Sequence, residues 1–188
     1  MAQLVFFLEE PSARELLNGV VPKLLPPAIT FRCVVFEGKQ DLEKQLPRKL
    51  RGWQQPGCRF VVLHDKDSAD CMAVKQKLQA ICASANKPDA LIRIACHELE
   101  SWYLGDLRAV ERGLQINGLA KKQQGQKYRN PDRLSNPKQE LKKLTGNCYQ
   151  QIAGSRMIAY FLKLDGNCSV SFNVFLAGVR RVIEEMEP

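Results

Sequence analysis

Apolar residues along this chain fall into two kinds of pattern. Gln3–Leu8, Thr30–Phe36, Arg59–Leu63 and Leu91–Cys96 are short apolar runs, several rich in branched and aromatic side chains, which predicts buried strands. Between them, apolar positions recur at helical spacing. Leu16, Leu17, Val20, Val21, Leu24 and Leu25 form one stripe, Leu42, Leu46 and Leu50 a second, and Cys71, Val74, Leu78, Ile81 and Cys82 a third. Ser12-x-x-Glu15 predicts a capping box at the first helix start, where hydroxyl and carboxylate each satisfy a free amide. Gly19 and Pro22 predict a kink or an early end to that helix, and Pro47 interrupts the second stripe. Asp67 or Ser68 is expected to cap the third. Strand and helix alternating through short links predict an α/β fold: a four-stranded, mostly parallel, Rossmann-like sheet with helices on both faces.

The pattern changes after residue 107. A helix is expected over Leu107–Gln115, followed by a polar stretch, Asn117–Asn136, with no apolar period, which predicts a loop. Pro137 suits the first position of a helix. Further helices are expected over Tyr149–Leu164 and Ser171–Met186, the latter with Phe172, Phe175, Leu176, Val179, Val182 and Ile183 on one side. The expected division is an α/β domain over residues 1–107 and a mainly helical C-terminal extension over residues 108–188 packed on it.

Composition narrows the class. With 45% hydrophobic and 26% charged residues, the chain is neither disordered, collagen-like nor coiled-coil. Its 188 residues suit one domain or slightly more, and a chain of this size buries roughly 70% of its unfolded surface without disulfide staples. No apolar run approaches the ~20 residues of a membrane span. The N-terminal segment lacks a basic leader and meets acid at Glu9, so a cytoplasmic protein is expected. The seven cysteines include no C-x-x-C pair, which argues against zinc-ribbon and thioredoxin sites and for free thiols in a reducing compartment. No Walker A run, nucleophile elbow or G-x-G-x-x-G is present, so the chain is not expected to hydrolyse ATP by itself.

Charge is unevenly distributed. Of the net +8, residues 1–107 carry 14 basic and 13 acidic side chains, and residues 108–188 carry 14 basic and 7 acidic. A basic second half suggests a polyanionic partner; the alternative is a solvated, lysine-rich surface. Lys121, Lys122, Lys127 and Arg129 flank Tyr128 in the polar stretch. Such a set can grip a nucleic-acid backbone and stack a base, or simply be a solvated loop.

The acidic residues are more telling. Glu9 and Glu10 follow the first strand, Asp65 and Asp67 the third, and Glu98 and Glu100 the fourth. Ligands of parallel α/β sheets bind beyond the carboxyl ends of strands, where strand order reverses. If the third strand lies beside the first, these groups converge, and a hard cation such as Mg²⁺ or Mn²⁺ would relieve their repulsion. The alternative is that Asp65 and Asp67 cap a helix while Glu98 and Glu100 are solvated. Should the strand continue through Glu100, both glutamates share one face; should a helix begin at Glu98, they diverge by about 200° and only one contributes. His64 and His97 precede acids at strand ends, and alternation turns each away from its neighbour toward helix packing. Trp102 and Tyr103 are expected in the core.

Leu-Val-Phe-Phe-Leu-Glu9-Glu10-Pro-Ser followed by Phe-Val-Val-Leu-His-Asp65-Lys-Asp67-Ser resembles the Toprim domain of topoisomerases, primases and OLD-type nucleases. The wider run, with His97-Glu98-Leu99-Glu100-Ser101-Trp102, Asn-Pro-Asp132, Asn-Pro-Lys138 and Ser169-x-Ser171-Phe172, is similar to an uncharacterised bacterial Toprim-like family. Members of that family are often encoded beside an AAA- or ABC-type ATPase in mobile or phage-defence gene clusters. Glu10 stands where Toprim proteins usually carry Gly. The resemblance implies that Glu9 acts as general acid, general base or further metal ligand, and that Asp65 and Asp67 hold Mg²⁺. Independently of the resemblance, a strand that continued through Glu100 would place Glu98 and Glu100 near a second metal.

The function expected on these grounds is Mg²⁺-dependent phosphoryl transfer, most simply by a nuclease acting with an ATPase partner. Two alternatives stand beside it: a non-catalytic regulatory or binding subunit of the same fold, and a receiver-like phosphoacceptor domain with Asp65 as acceptor. The latter lacks an evident fifth strand ending in Lys.

Overall fold

A computed structural model of the protein describes residues 2–66 and 70–187. Strands β1 (Ala2–Leu8), β2 (Ile29–Val35), β3 (Cys58–Asp65) and β4 (Leu91–Ala95) form one sheet in the order β2-β1-β3-β4, with every pair parallel. β1 and β3 are neighbours, with Leu8 opposite Leu63. Helices α1 (Pro11–Val20), α2 (Lys39–Gly52), α3 (Cys71–Ser84) and α4 (Glu100–Leu104) follow the four strands in turn. Then come α5 (Leu107–Leu114), α6 (Pro137–Leu144), α7 (Gln151–Ala159) and α8 (Val170–Glu184).

Alternation along the strands divides the interior. Val5, Phe7, Val62 and Ile92 meet Leu42, Leu46 and Leu50 of α2 and Val74, Leu78 and Cys82 of α3. Leu4, Phe6, Leu8, Val61 and Leu63 point to the other face, toward α1, α4, α5, α7 and α8. Trp102 and Tyr103 are fully buried there, as the helical spacing predicts. This second core draws on both halves of the chain, because neither α7 nor α8 could bury its apolar stripe without the sheet domain. The α1–α7 contact is especially close: a Cβ on Gly19 would lie 2.7 Å from the Ala159 carbonyl carbon. Glu15 receives the Arg156 Nε–H at 2.7 Å beside it. Lys23 donates to the carbonyls of Tyr160 and Leu162, at 2.8 and 3.0 Å, closing the end of α7.

Several local expectations are corrected. The capping box does not form: α1 starts at Pro11, directly after Glu10, so Ser12 and Glu15 lie inside the helix. Ser12 donates to Glu10, and Glu15 turns to α7. α1 does end early, passing into a 3₁₀ turn at Val21–Lys23 that contains Pro22. α2 runs through Pro47. Asp70 caps α3, accepting from the Ala73 N–H at 2.8 Å; Asp67 and Ser68 lie outside the described residues. The polar stretch at 117–136 is a packed segment. It contains short 3₁₀ turns at Ala120–Lys122 and Pro131–Arg133, and it buries Leu119, Tyr128 and Pro131. Gln123 holds it in place, donating to the Leu104 and Tyr128 carbonyls and accepting from the Leu107 N–H. No apolar period announces such packing, because it rests on backbone carbonyls rather than on a stripe.

Candidate functional site

The site follows from the strand order. β1 and β3 lie side by side, but their chains leave toward opposite flanks, β1 to β2 and β3 to β4, so the crevice opens beyond their carboxyl ends. Glu9 and Glu10 follow β1 immediately, and Asp65 is the last residue of β3. Glu9 Oε2 accepts the Asp65 backbone N–H at 3.3 Å, which ties the two strand ends together. Asp65 Oδ2 in turn accepts the Leu99 N–H at 3.3 Å, linking β3 to the turn after β4. Burial, reinforced by the carboxylates of Glu10, Glu9 and Glu100, pushes Asp65 well above the usual carboxylate range.

Glu98 and Glu100 follow neither of the two expected geometries. β4 stops at Ala95 and α4 starts only at Glu100, with His97 in the left-handed region at φ 61° between them. Glu100 points inward. It is 1% exposed, and its Oε1 receives the Tyr149 hydroxyl at 2.9 Å. Its Oε2 is buried without a hydrogen-bond partner among the described residues. Burial raises its pKa to about 7 despite the nearby Lys138 and the Tyr149 bond. Glu98 points elsewhere, accepting the Lys138 N–H at 2.8 Å at the start of α6. One of the two therefore joins the acid cluster and the other caps a helix.

Lys138, forty residues downstream of Glu98, brings a cation to the crevice. Its burial opposes the charge, but the carboxylates of Glu100, Glu10, Glu98 and Asp65 outweigh that and raise its pKa. It makes no direct ion pair among the described residues. Glu10 is held by Gln151, whose amide donates to both carboxylate oxygens at 2.8 Å, and by the Ser12 hydroxyl. His64 is buried, as expected, yet its Nδ1 lies 3.6 Å from Glu9 Oε2 rather than turned away from the acids. The adjacency of β1 and β3 decides this, since the neighbouring strand's acid stands where the residue's own neighbour does not.

Of the proposed site residues, then, Glu9, Asp65 and Glu100 come together, Glu98 stands at the rim, and Asp67 lies outside the described residues. Among the described residues, no three His, Cys, Asp or Glu side chains are grouped closely enough to hold a metal ion. Glu10, Lys138, Tyr149 and Gln151 complete the cluster. Pro137 and the polar residues before it marked the start of α6, but nothing local to Lys138 points toward strands so distant in the sequence.

The basic set has a mixed fate. Lys121, Lys122, Lys127 and Arg129 are exposed. Tyr128 is 8% exposed and donates its hydroxyl to Glu140 at 2.6 Å, so it is not available to stack a base. Lys127 pairs with the same Glu140 at 2.7 Å. These two contacts fasten the basic segment to α6, the helix whose first turn carries Lys138.

The later motif elements form a structural knot. Asp132 accepts from the Ser169 hydroxyl at 2.7 Å and the Ser171 N–H at 2.8 Å, and Ser171 Oγ accepts the Trp102 indole N–H at 2.8 Å. Together they anchor the N-terminus of α8 to the turn after β4. No described helix is long and apolar enough to cross a membrane.

A family model for a domain of unknown function, DUF4276, matches residues 8–180. Comparison with curated proteins and with solved structures gives no match. The chain belongs to the DUF4276 family.

Proposed function

We propose that this DUF4276 protein is a Toprim-type, Mg²⁺- or Mn²⁺-dependent phosphoryl-transfer enzyme, most simply a nuclease. The observation that carries the reading is the meeting of Glu9, Glu10, Asp65 and Glu100 at the β1–β3 switch point, with a buried Glu100 oxygen left without a hydrogen-bond partner among the described residues. Asp65 and Glu100, pushed toward their neutral forms first by burial and then by neighbouring carboxylates, are under-compensated. The donor set, all oxygen, suits a hard divalent cation. Such a cation would be held by Asp65 and Glu100, with Asp67 as the further candidate ligand and Glu9 either the third ligand or the general base. When bound, it would neutralise non-bridging phosphate oxygens and lower the pKa of an attacking water.

The chain's own groups then have distinct tasks. Lys138, kept charged by the surrounding acids, is suited to a phosphate oxygen once those acids turn to the cation. Tyr149 and Gln151 orient Glu100 and Glu10. Glu9 is the candidate general base, within 3.6 Å of His64 Nδ1. Lys121, Lys122 and Arg129, fastened to α6 through their neighbours, would grip the nucleic-acid backbone. An AAA- or ABC-type ATPase partner, a defence role and a cytoplasmic location belong to the same proposal, on the strength of the resemblance alone.

One observation favours a second reading, a non-catalytic binding subunit: the described carboxylates alone do not assemble a three-ligand metal centre. The full chain incubated with Mg²⁺ or Mn²⁺ and with plasmid DNA, single-stranded DNA or RNA separates the two. Cleavage that Asp65→Asn abolishes supports the enzyme. Neither cleavage nor a metal-induced rise in melting temperature supports the binding subunit.

A further inference from the structure

Among the described residues β4 is an edge strand, with β3 on one side and no strand on the other. Its outward side can be identified from one bond. The Ala95 carbonyl accepts the Lys66 N–H at 3.0 Å, so Ala95 turns its backbone groups toward β3. Strand residues alternate, and Ile92, Ile94 and Cys96 therefore turn theirs outward. Part of this outward edge is satisfied within the chain. The Ile92 carbonyl takes an Arg93 guanidinium N–H at 2.9 Å, and the Cys96 N–H meets Ser171 Oγ at 3.4 Å. Ile94, between them, presents an N–H and a C=O with no partner among the described residues.

That edge forms the floor of a groove of ≈ 470 Å³ between α3 and α8. Its walls expose Met72 of α3 (61%) and Val170 and Val174 of α8 (60% and 51%). These are three of the six large apolar side chains exposed among the described residues. Apolar side chains gathered along an open strand edge mark an interaction surface.

Charge says what would fill it. Lys75, Arg93 and Arg133 line the groove, and none forms an ion pair among the described residues. Arg93 donates only to carbonyls, those of Val174 and Ile92, so its charge has no counter-ion. The one lining acid among the described residues, Asp132, spends both carboxylate oxygens on Ser169 and Ser171. A second copy of this chain, at net +8, is poorly matched to three unpaired cations. Among the described residues the groove shares no lining residue with the acid cluster.

We infer that the β4 edge receives an extended segment of a partner protein, added to the sheet as a fifth strand and carrying apolar and acidic side chains toward both faces. Ile94 supplies the ladder bonds, Met72, Val170 and Val174 the apolar contacts, and Lys75, Arg93 and Arg133 the counter-charges. Main-chain bonds provide affinity in this mode, while alternate side chains provide specificity.

The test uses the full-length protein and fluorescein-labelled synthetic peptides eight residues long, one repeating Val-Val-Glu-Glu and one Val-Val-Lys-Lys so that each face of the strand carries both residue types, read by anisotropy. The acidic peptide is expected to bind about tenfold or more tightly than the basic one. Val174→Asp and Arg133→Glu, both at exposed positions, are each expected to weaken it about tenfold while leaving the melting temperature unchanged. A version of the acidic peptide N-methylated at alternate amides is expected to lose binding. Equal binding of the two peptides, indifference to both substitutions, or retained binding after N-methylation overturns the proposal. So does self-association in sedimentation that Val174→Asp abolishes, which would make the occupant a second copy.

Discussion

The backbone N–H of Lys138 donates to Glu98 Oε2 at 2.8 Å, so the carboxylate of one residue starts the helix that carries the ammonium of the other. Glu98 thereby acts as a helix cap and sets where Lys138 enters the acid cluster. Glu98→Ala is expected to cost about 1 kcal/mol of stability, the usual worth of an N-terminal cap. It should slow cleavage while leaving the Mg²⁺-induced rise in melting temperature intact. Loss of that rise would instead make Glu98 a metal ligand.

Asp65 sits among Glu9, Glu10 and Glu100. Replacing it with Asn removes one charge from a self-repelling group and keeps an oxygen for the Leu99 N–H. Without metal, Asp65→Asn is expected to match or exceed wild type in stability, by on the order of 1 kcal/mol. With Mg²⁺ or Mn²⁺ the order should reverse, because wild type gains more from binding to the folded state. Thermal melts with and without metal check both halves, and a large metal-free loss would assign Asp65 a structural role.

The same cluster makes stability depend on pH. Burial lifts Glu100 from 4.5 to about 7 in the folded protein, so the native state holds a proton that the unfolded chain has released. Stability from this group is fully present below 4.5 and lost as pH rises through about 7. Metal-free protein should therefore lose up to about 3 kcal/mol from this group between about pH 5 and about pH 8. Glu100→Gln should reduce this loss and leave the part that comes from Asp65, whose pKa is also raised. A wild-type profile already flat over that range would mean that Glu100 is ionised in the fold.

The contact of Gly19 with Ala159 offers a test of how α7 docks on the sheet domain. Gly19→Ala would force a Cβ to within 2.7 Å of the Ala159 backbone. Urea unfolding should show a loss of about 1–3 kcal/mol from overpacking. Ordinarily Ala in place of Gly stabilises a helix by about 1 kcal/mol, so a gain would show that α1 and α7 can separate.

Lys121, Lys122 and Arg129 are exposed and make no ion pair among the described residues, whereas Lys127 is already paired with Glu140. Nucleic-acid affinity should fall with salt, and alanine at Lys121, Lys122 or Arg129 should each reduce the slope by about one. Lys127→Ala should reduce it less, because Glu140 already offsets part of that charge. A salt titration in which all four behave alike would contradict the assignment of Lys127 to α6.

The elements of this fold were legible in the sequence because a strand or helix is chosen by neighbours a few residues away. The apolar runs gave the four strands to within two residues at either end, and the acids at their ends were visible as acids. That Val5 and Phe7 face one core while Leu4 and Phe6 face the other follows from alternation alone. What the tertiary structure decided is which distant groups meet. Placing β3 beside β1 made Glu9, Asp65 and Glu100 a cluster rather than three separate strand ends. The left-handed turn at His97 sorted Glu100 inward and Glu98 toward α6, where local periodicity allowed two other outcomes. Docking of α6 and α7 then supplied Lys138, Tyr149 and Gln151 from 38 to 141 residues away in the chain. Local pattern is set by side chains in contact along the chain. A site assembled across it depends on how whole elements pack, and no short window of residues carries that information.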